Sequence, residues 1–221
     1  MAPRRLASPL LAALLFLAGS AGSASPPAPD LAVPPGPAAQ LPVVVFLGDS
    51  LTAGLGLSEE DAFPSRVAEA LAARGRPVRA INGGVSGDTT AGGLRRADWL
   101  LKQKPAVVVV WLGANDGLRG FPVEETERNL RAIVRRAKGT GAKVLLCGML
   151  VPTNYGPDYR ARFSALFPRV AREEGAAYSP FPLRDVAGRE ELNLPDGIHP
   201  NARGQRLVAT AVLEGLLPLL P

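Results

Sequence analysis

Apolar residues along this chain fall into two kinds of segment that alternate. Short continuous runs are "PVVVFLG" (42–48), "PVRAIN" (77–82), "AVVVVWLG" (106–113), "KVLLCGML" (143–150) and a weaker "AAYSPF" (176–181). Their valine and isoleucine content and unbroken hydrophobicity suit strands covered on both faces. Longer stretches lie between them: "FPSRVAEALAAR", "TAGGLRRADWLLKQ", "VEETERNLRAIVRRAKG" and "DYRARFSALFPRVAREEG", with a last helix expected over about 204–217. In the third stretch Leu130, Ile133, Val134 and Ala137 keep helical spacing, and Gly139 is expected as its C-cap. Strand–helix alternation of this kind predicts an α/β fold, a parallel five-stranded sheet between two helix layers. Loops at the strand ends are then the expected home of function.

The first 40 residues lie outside this pattern. "MAPRRLASPLLAALLFLAGSAGSASPP" has two arginines, an apolar stretch from Leu10 to Ala18, and then small residues. This is the pattern of a secretory signal peptide, with cleavage expected after Ala21 or Ala24. The apolar run falls short of the roughly 20 residues a bilayer span needs, so no stable membrane span is expected once the leader is cut. No cysteine near the cut offers a site for lipid attachment. "SPPAPDLAVPPGPAAQ" (25–40) is a spacer of proline and alanine that cannot bury enough apolar area to order itself. The expected organisation is a signal peptide over 1–24, a linker over 25–40 and a globular domain over 41–221, long enough for one substantial core. The location expected is periplasmic or secreted.

Charge and cysteine content narrow the function classes. The chain has 25 basic and 20 acidic residues, a net +5; without Arg4 and Arg5 of the leader, 23 stand against 20, a net +3. The basic residues are scattered, not gathered in a block, which argues against a nucleic-acid partner. Cys147 is the only cysteine, so no internal disulfide forms, and its apolar surroundings predict a buried, inert thiol.

The chemistry-bearing residues cluster after the strands. Ser50 follows the first strand in "GDSLTAG". It suits either the N-cap of a helix or a nucleophile. Leu51 to Leu57 contains two glycines and reads as loop, with helical spacing resuming only near Phe63, which weakens the cap. Thr52 stands where the G-x-S-x-G elbow needs glycine, so that motif is absent. Acyl transfer also needs a base, a group to orient it, and donors for the developing oxyanion. His199 is the only histidine, and Asp196 precedes it by three positions in "DGIH". "NGGVSGDTTAGG" (82–93) fits no phosphate-loop motif; the backbone N–H of Gly87 is a candidate donor. Asn115, at the end of "VVVVWLGAND", is either a turn residue or a second donor. Asp49, Asp88 and Asp116 read as acids that brace their own loops.

Taken together and in this order, "GDSLTAG", "NGGVSGDTTAGGL", "WLGANDGLRG" and "LPDGIHPNARG" closely resemble the four blocks of the SGNH (GDSL-type) hydrolase superfamily. "NYGPDY" followed by "FSALFP" is similar to the bacterial esterase, lysophospholipase and thioesterase I subgroup, which includes arylesterases. The resemblance spans roughly Val43 to Val212. It implies a flavodoxin-like three-layer sandwich and a serine esterase without metal or cofactor. In that scheme Ser50 attacks the acyl carbonyl, His199 accepts its proton and Asp196 holds the imidazole. The N–H groups of Ser50 and Gly87 and the amide of Asn115 form the oxyanion hole.

The resemblance points to simple, aryl, thio- or lysophospholipid esters as substrates. An exported enzyme would rarely meet acyl-CoA, which favours lipid or aryl esters. Leu118, Phe121, Pro152 and Tyr155 either border an acyl groove or pack their own loops. Two further readings share the scaffold: a carbohydrate or peptidoglycan O-acetyl esterase, and a non-catalytic lipid- or glycan-binding protein. The low aromatic content, 5%, argues against a sugar site. The sequence does not fix the oligomeric state.

Overall fold

The computed structural model describes residues 40–221, so the leader and nearly all of the spacer lie outside the described residues. Five parallel strands form the sheet: β1 (Val43–Gly48), β2 (Arg79–Gly84), β3 (Val107–Trp111), β4 (Lys143–Cys147) and β5 (Ala177–Ser179). Their spatial order is β2-β1-β3-β4-β5, with Val45 of β1 in register with Ile81 on one side and Val108 on the other. The side chains of Val44 to Leu47 and of all of β3 are buried. That is why these two runs read as continuously apolar: both faces of the central strands are covered.

The helices are α1 (Ser50–Ala53), α2 (Phe63–Ala72), α3 (Thr90–Leu101), α4 (Ala114–Leu118), α5 (Val123–Gly139), α6 (Pro157–Glu174) and α7 (Ala202–Leu216). Helices α3, α5 and α6 pack side by side, while α2 and α7 pair with each other. With right-handed crossovers these two groups cover opposite faces of the sheet. Phe63 of α2 meets Phe46 and Trp111 edge-on, each with ring centroids 5.5 Å apart, a favourable aromatic geometry.

The chain leaves β1 toward β2 on one side, then returns to place β3 on the other. A crevice opens at the carboxyl ends of β1 and β3, the usual ligand position in open α/β sheets. The short helices bearing Ser50 and Asn115, α1 and α4, leave the sheet at this point.

Three local expectations are corrected. Ser50–Ala53 is a short helix where a loop was expected. Four residues are too few for helical spacing to show, and the Asp49 side chain caps the turn. Gly139 lies inside α5 and does not cap it: the cap is Thr140, whose hydroxyl donates to the Ala137 carbonyl at 2.7 Å, and Gly141 turns the chain at φ 87°. Gly83 and Gly84, expected in the glycine-rich loop, are the last residues of β2. A Cβ on Gly84 would lie 2.2 Å from the Ala53 nitrogen, so glycine there lets α1 press against the strand end.

Candidate active site

The first part of the site is built where β1 runs out. Asp49 caps α1 by accepting the Leu51 N–H at 3.0 Å on Oδ1, and Ser50 opens the helix. Gly54, at φ 73°, closes it by donating to the Ser50 carbonyl at 3.1 Å. The result is a tight turn, held at both ends, that presents the half-buried Ser50 hydroxyl. Gln205 of α7 adds a buried strut: its Oε1 accepts the Phe63 N–H at 2.9 Å, and its Nε2 donates to the Leu51 carbonyl at 3.2 Å.

The second part is the loop before α7. The Leu194 N–H donates to the His199 carbonyl at 2.7 Å, and Asn193 and Pro200 form an isolated antiparallel bridge. Asn193 Nδ2 donates to the carbonyls of Val186 and Arg189, both at 2.8 Å. Asn201 then caps α7, accepting the N–H groups of Arg203 and Gly204. Inside this braced loop Asp196 Oδ1 accepts the N–H groups of Ile198 and His199, each at 3.0 Å, and Oδ2 lies 2.7 Å from His199 Nδ1. These bonds, the backbone ones foremost, hold the Asp196 carboxyl down to about 2. An ionised carboxylate on Nδ1 requires a proton there. The Nε2 lone pair is therefore free to accept the Ser50 hydroxyl, 2.9 Å away. Carboxylate, imidazole and hydroxyl form one hydrogen-bonded chain, the arrangement that raises the nucleophilicity of a serine oxygen.

The two further candidate donors reach the same turn through neighbours. Asn115 stands at the start of α4, and its Nδ2 donates to the Asp88 carbonyl at 2.9 Å and, over a longer 3.4 Å, to Asp49 Oδ2. The longer contact is the one a charged oxygen in the crevice can replace. Gly87 is exposed at φ 80°, its carbonyl accepts Arg119 Nη2 at 3.1 Å, and its N–H has no acceptor among the described residues.

The bracing acids do more than hold their own loops. Asp116, buried in α4, accepts the Thr90 N–H at 2.9 Å and the Thr90 hydroxyl, fixing the start of α3. Asp49 is fully buried, and burial pushes its carboxyl up to about 6. Cys147 is buried too, its thiol pushed up to about 12 by desolvation. Among the described residues no group of three His, Cys, Asp or Glu side chains is placed to hold a metal.

The four candidate groove residues divide. The Tyr155 hydroxyl donates to the Leu118 carbonyl at 2.6 Å, and the Tyr159 hydroxyl donates to the Phe121 carbonyl at 2.8 Å. Tyr155 thus ties the loop after β4 to the end of α4, while Leu118, Phe121 and Pro152 are exposed. A cleft of about 280 Å³ is lined by Leu150, Val151, Pro157, Arg160, Ala161 and Ser164, and by none of the four.

Sequence reading missed Arg96 and Gln205. Gln205 left a faint signal, a polar residue on the apolar face of α7 one turn before Val208 and Ala209. Arg96 left none, because two of its three partners are backbone carbonyls, Gly48 and Gly83.

Comparison with known proteins identifies the family. The profile of the GDSL-like Lipase/Acylhydrolase family matches residues 46–207. Esterase TesA of Pseudomonas aeruginosa is 43% identical over 178 residues, covering 80% of this chain and 89% of its own. An arylesterase of Vibrio mimicus is 39% identical, covering 79% and 88%. Thioesterase 1/protease 1/lysophospholipase L1 of Escherichia coli K12 is 38% identical, covering 83% and 87%. A crystal structure of TesA superposes with a TM-score of 0.78 at 41% identity, covering 80% of this chain and 99% of that one.

Proposed function

The chain belongs to the GDSL-like lipase/acylhydrolase family, a family of ester hydrolases, and on that premise we propose that it is an exported serine esterase acting through an acyl-enzyme. Ser50 Oγ attacks the ester carbonyl carbon as its proton passes to His199 Nε2, and the carbonyl oxygen becomes an oxyanion. The Ser50 and Gly87 N–H groups and the Asn115 amide stabilise that charge. The carbon–oxygen bond to the alcohol then breaks, and the departing oxygen takes the proton from Nε2. Water repeats the sequence on the acyl-enzyme, and the acid leaves with Ser50 restored. Asp196 keeps the imidazole in one tautomer and stabilises its charged form. The single observation behind these roles is the continuous chain from Asp196 Oδ2 through His199 to Ser50 Oγ, with steps of 2.7 and 2.9 Å.

For the substrate we propose esters with an apolar acyl or aryl part. Val85, Leu118, Phe121, Leu150 and Ile198, between 36% and 57% exposed, lie in the segments that follow β2, β3 and β4, Leu118 at the end of α4, and beside His199. Clustered apolar exposure marks a binding surface more often than a structural need. The relatives' names, esterase, arylesterase and lysophospholipase, agree with it. The rival carbohydrate O-acetyl esterase is less well supported. Trp99, at 65% the most exposed aromatic among the described residues, sits near the end of α3, which runs back toward the opposite edge of the sheet. Export rests on the leader pattern of residues 1–24; no helix of the described residues is long and apolar enough to cross a membrane.

The test is hydrolysis of p-nitrophenyl esters from acetyl to palmitoyl by the purified protein, beside Ser50→Ala. Rates that vanish in the variant and peak at medium or long chains are expected. A sharp acetyl preference would move the reading to the carbohydrate esterase. Equal inactivity of two folded proteins would favour a binding protein on this scaffold.

A further inference from the structure

Arg96 of α3 spends each of its three guanidinium nitrogens on a different part of the crevice. Nη2 donates to the Gly48 carbonyl at 2.7 Å, two residues before Ser50. Nη1 donates to the Gly83 carbonyl at 2.5 Å, near the end of β2, and Nε donates to Asp88 Oδ2 at 2.6 Å, in the residue after Gly87. The Asp88 carbonyl in turn accepts the amide of Asn115. One planar group is therefore linked to the turn of Ser50, to the loop of Gly87 and, through Asp88, to Asn115. The pair is largely withdrawn from solvent, with Arg96 22% and Asp88 13% exposed, so its bonds are less screened than those of a surface pair.

The sequence makes room for this arrangement. In "DTTAGGLRR" Asp88 precedes Thr89, the N-cap of α3, while Gly92 and Arg96 lie four residues apart on one face of the helix. A Cβ on Gly92 would lie 1.6 Å from Asp88 Oδ1. Glycine at this position lets the carboxylate lie along the first turn of α3 and reach the guanidinium.

We propose that Arg96, held by Asp88, is a positioning residue that sets the mutual geometry of the three oxyanion donors. This rests on the esterase reading above. The guanidinium bonds to no atom of Asp196, His199 or Ser50 and to no side chain of the proposed substrate surface, so its effect is expected on stabilisation of the transition state. A rigid three-point fork is also beyond what a lysine ammonium offers. A displacement of donors by about 1 Å is enough to cost about 10²-fold in rate.

The experiment compares wild type, Ser50→Ala, Arg96→Met, Asn115→Ala and the Arg96→Met/Asn115→Ala pair on one p-nitrophenyl ester, with thermal unfolding of each. Arg96→Met is expected to lower kcat by about 10²-fold with KM changed less than about threefold, and to leave the shape of the pH–rate profile as in wild type. The same substitution in the Asn115→Ala background is expected to cost far less, because interacting groups are not additive. Added guanidinium, below concentrations that shift unfolding, should restore part of the rate to Arg96→Ala.

Full activity in Arg96→Met, an equal loss in both backgrounds, or a loss expressed in KM would overturn the proposal while Ser50→Ala remains inactive. If Arg96→Met does not fold, Asp88→Ala and Gly92→Ala must show the same loss of kcat at constant KM, and unchanged kcat in both overturns it. Wild-type rates in Ser50→Ala would overturn the esterase reading itself, and this proposal with it.

Discussion

Asp196 holds His199 by backbone and ring at once: Oδ1 accepts the histidine's own N–H at 3.0 Å while Oδ2 lies 2.7 Å from Nδ1. One carboxylate thus fixes where the loop turns and which ring nitrogen holds the proton. Asp196→Asn separates the two roles. Its carbonyl oxygen can still accept both N–H groups, but an amide donor facing Nδ1 imposes the wrong tautomer. We expect unfolding near wild type and a fall in kcat of about 10⁴-fold, the loss that follows when the orienting acid becomes an amide and the base is left in the wrong tautomer. Asp196→Ala should lose as much activity and also lower the thermal midpoint, since the loop N–H groups lose their acceptor. A fully active Asp196→Asn across the pH range would mean that another group orients His199.

Asn115 is bound in a way that a free turn residue is not, since its amide already has acceptors at 2.9 and 3.4 Å. Asn115→Ala removes both. If the longer contact yields to an oxyanion, kcat should drop about 10²–10³-fold, the cost of one donor, with KM little changed. Steady-state kinetics within a factor of two of wild type would remove Asn115 from the hole.

The central strands and the Ser50, Asp196 and His199 positions were legible because each leaves a local mark: an unbroken apolar run, or a short motif with fixed spacing. What escaped depends on neighbours distant in sequence. α1 is four residues held by the Asp49 cap and by packing on β2, so no periodicity announces it. Gly83 and Gly84 look like loop residues by type and are strand by context. Arg96 recognises carbonyl oxygens, which every residue has and no letter reveals. Gly139 shows the opposite error: a residue type suited to a cap, overruled because the α5 backbone continues helical to Thr140 and the left-handed turn falls at Gly141.

The close approach of α1 to β2 makes Gly84 a sensitive position. A methyl group there meets backbone atoms of Thr52 and Ala53 at 2.2–2.7 Å, and backbone cannot swing aside as a side-chain tip does. Gly84→Ala should cost about 1–3 kcal/mol of stability by overpacking. It should also displace the Ser50 turn, lowering kcat in the fraction that remains folded. Denaturant unfolding with parallel kinetics checks both; wild-type values in each would show that the turn has slack.

Asp49 gives the fold a pH dependence of unusual sign for a carboxylate. Its ordinary value is 3.8, and burial raises it to about 6 in the folded protein, against the opposing Leu51 bond and the nearby His199. The native state therefore binds this proton more tightly than the unfolded state does. Its contribution is full below about pH 3.8, is lost as pH rises through about 6, and is level above that. The shift corresponds to about 3 kcal/mol. Asp49→Asn stays uncharged throughout and keeps an acceptor for the Leu51 N–H. Its amide sets a donor against Asn115, a penalty that does not vary with pH. Measured by denaturant unfolding, the stability of Asp49→Asn relative to wild type should rise by about 2–3 kcal/mol between pH 4 and 7.5. A difference that stays flat would show that Asp49 titrates as an ordinary carboxylate despite its complete burial.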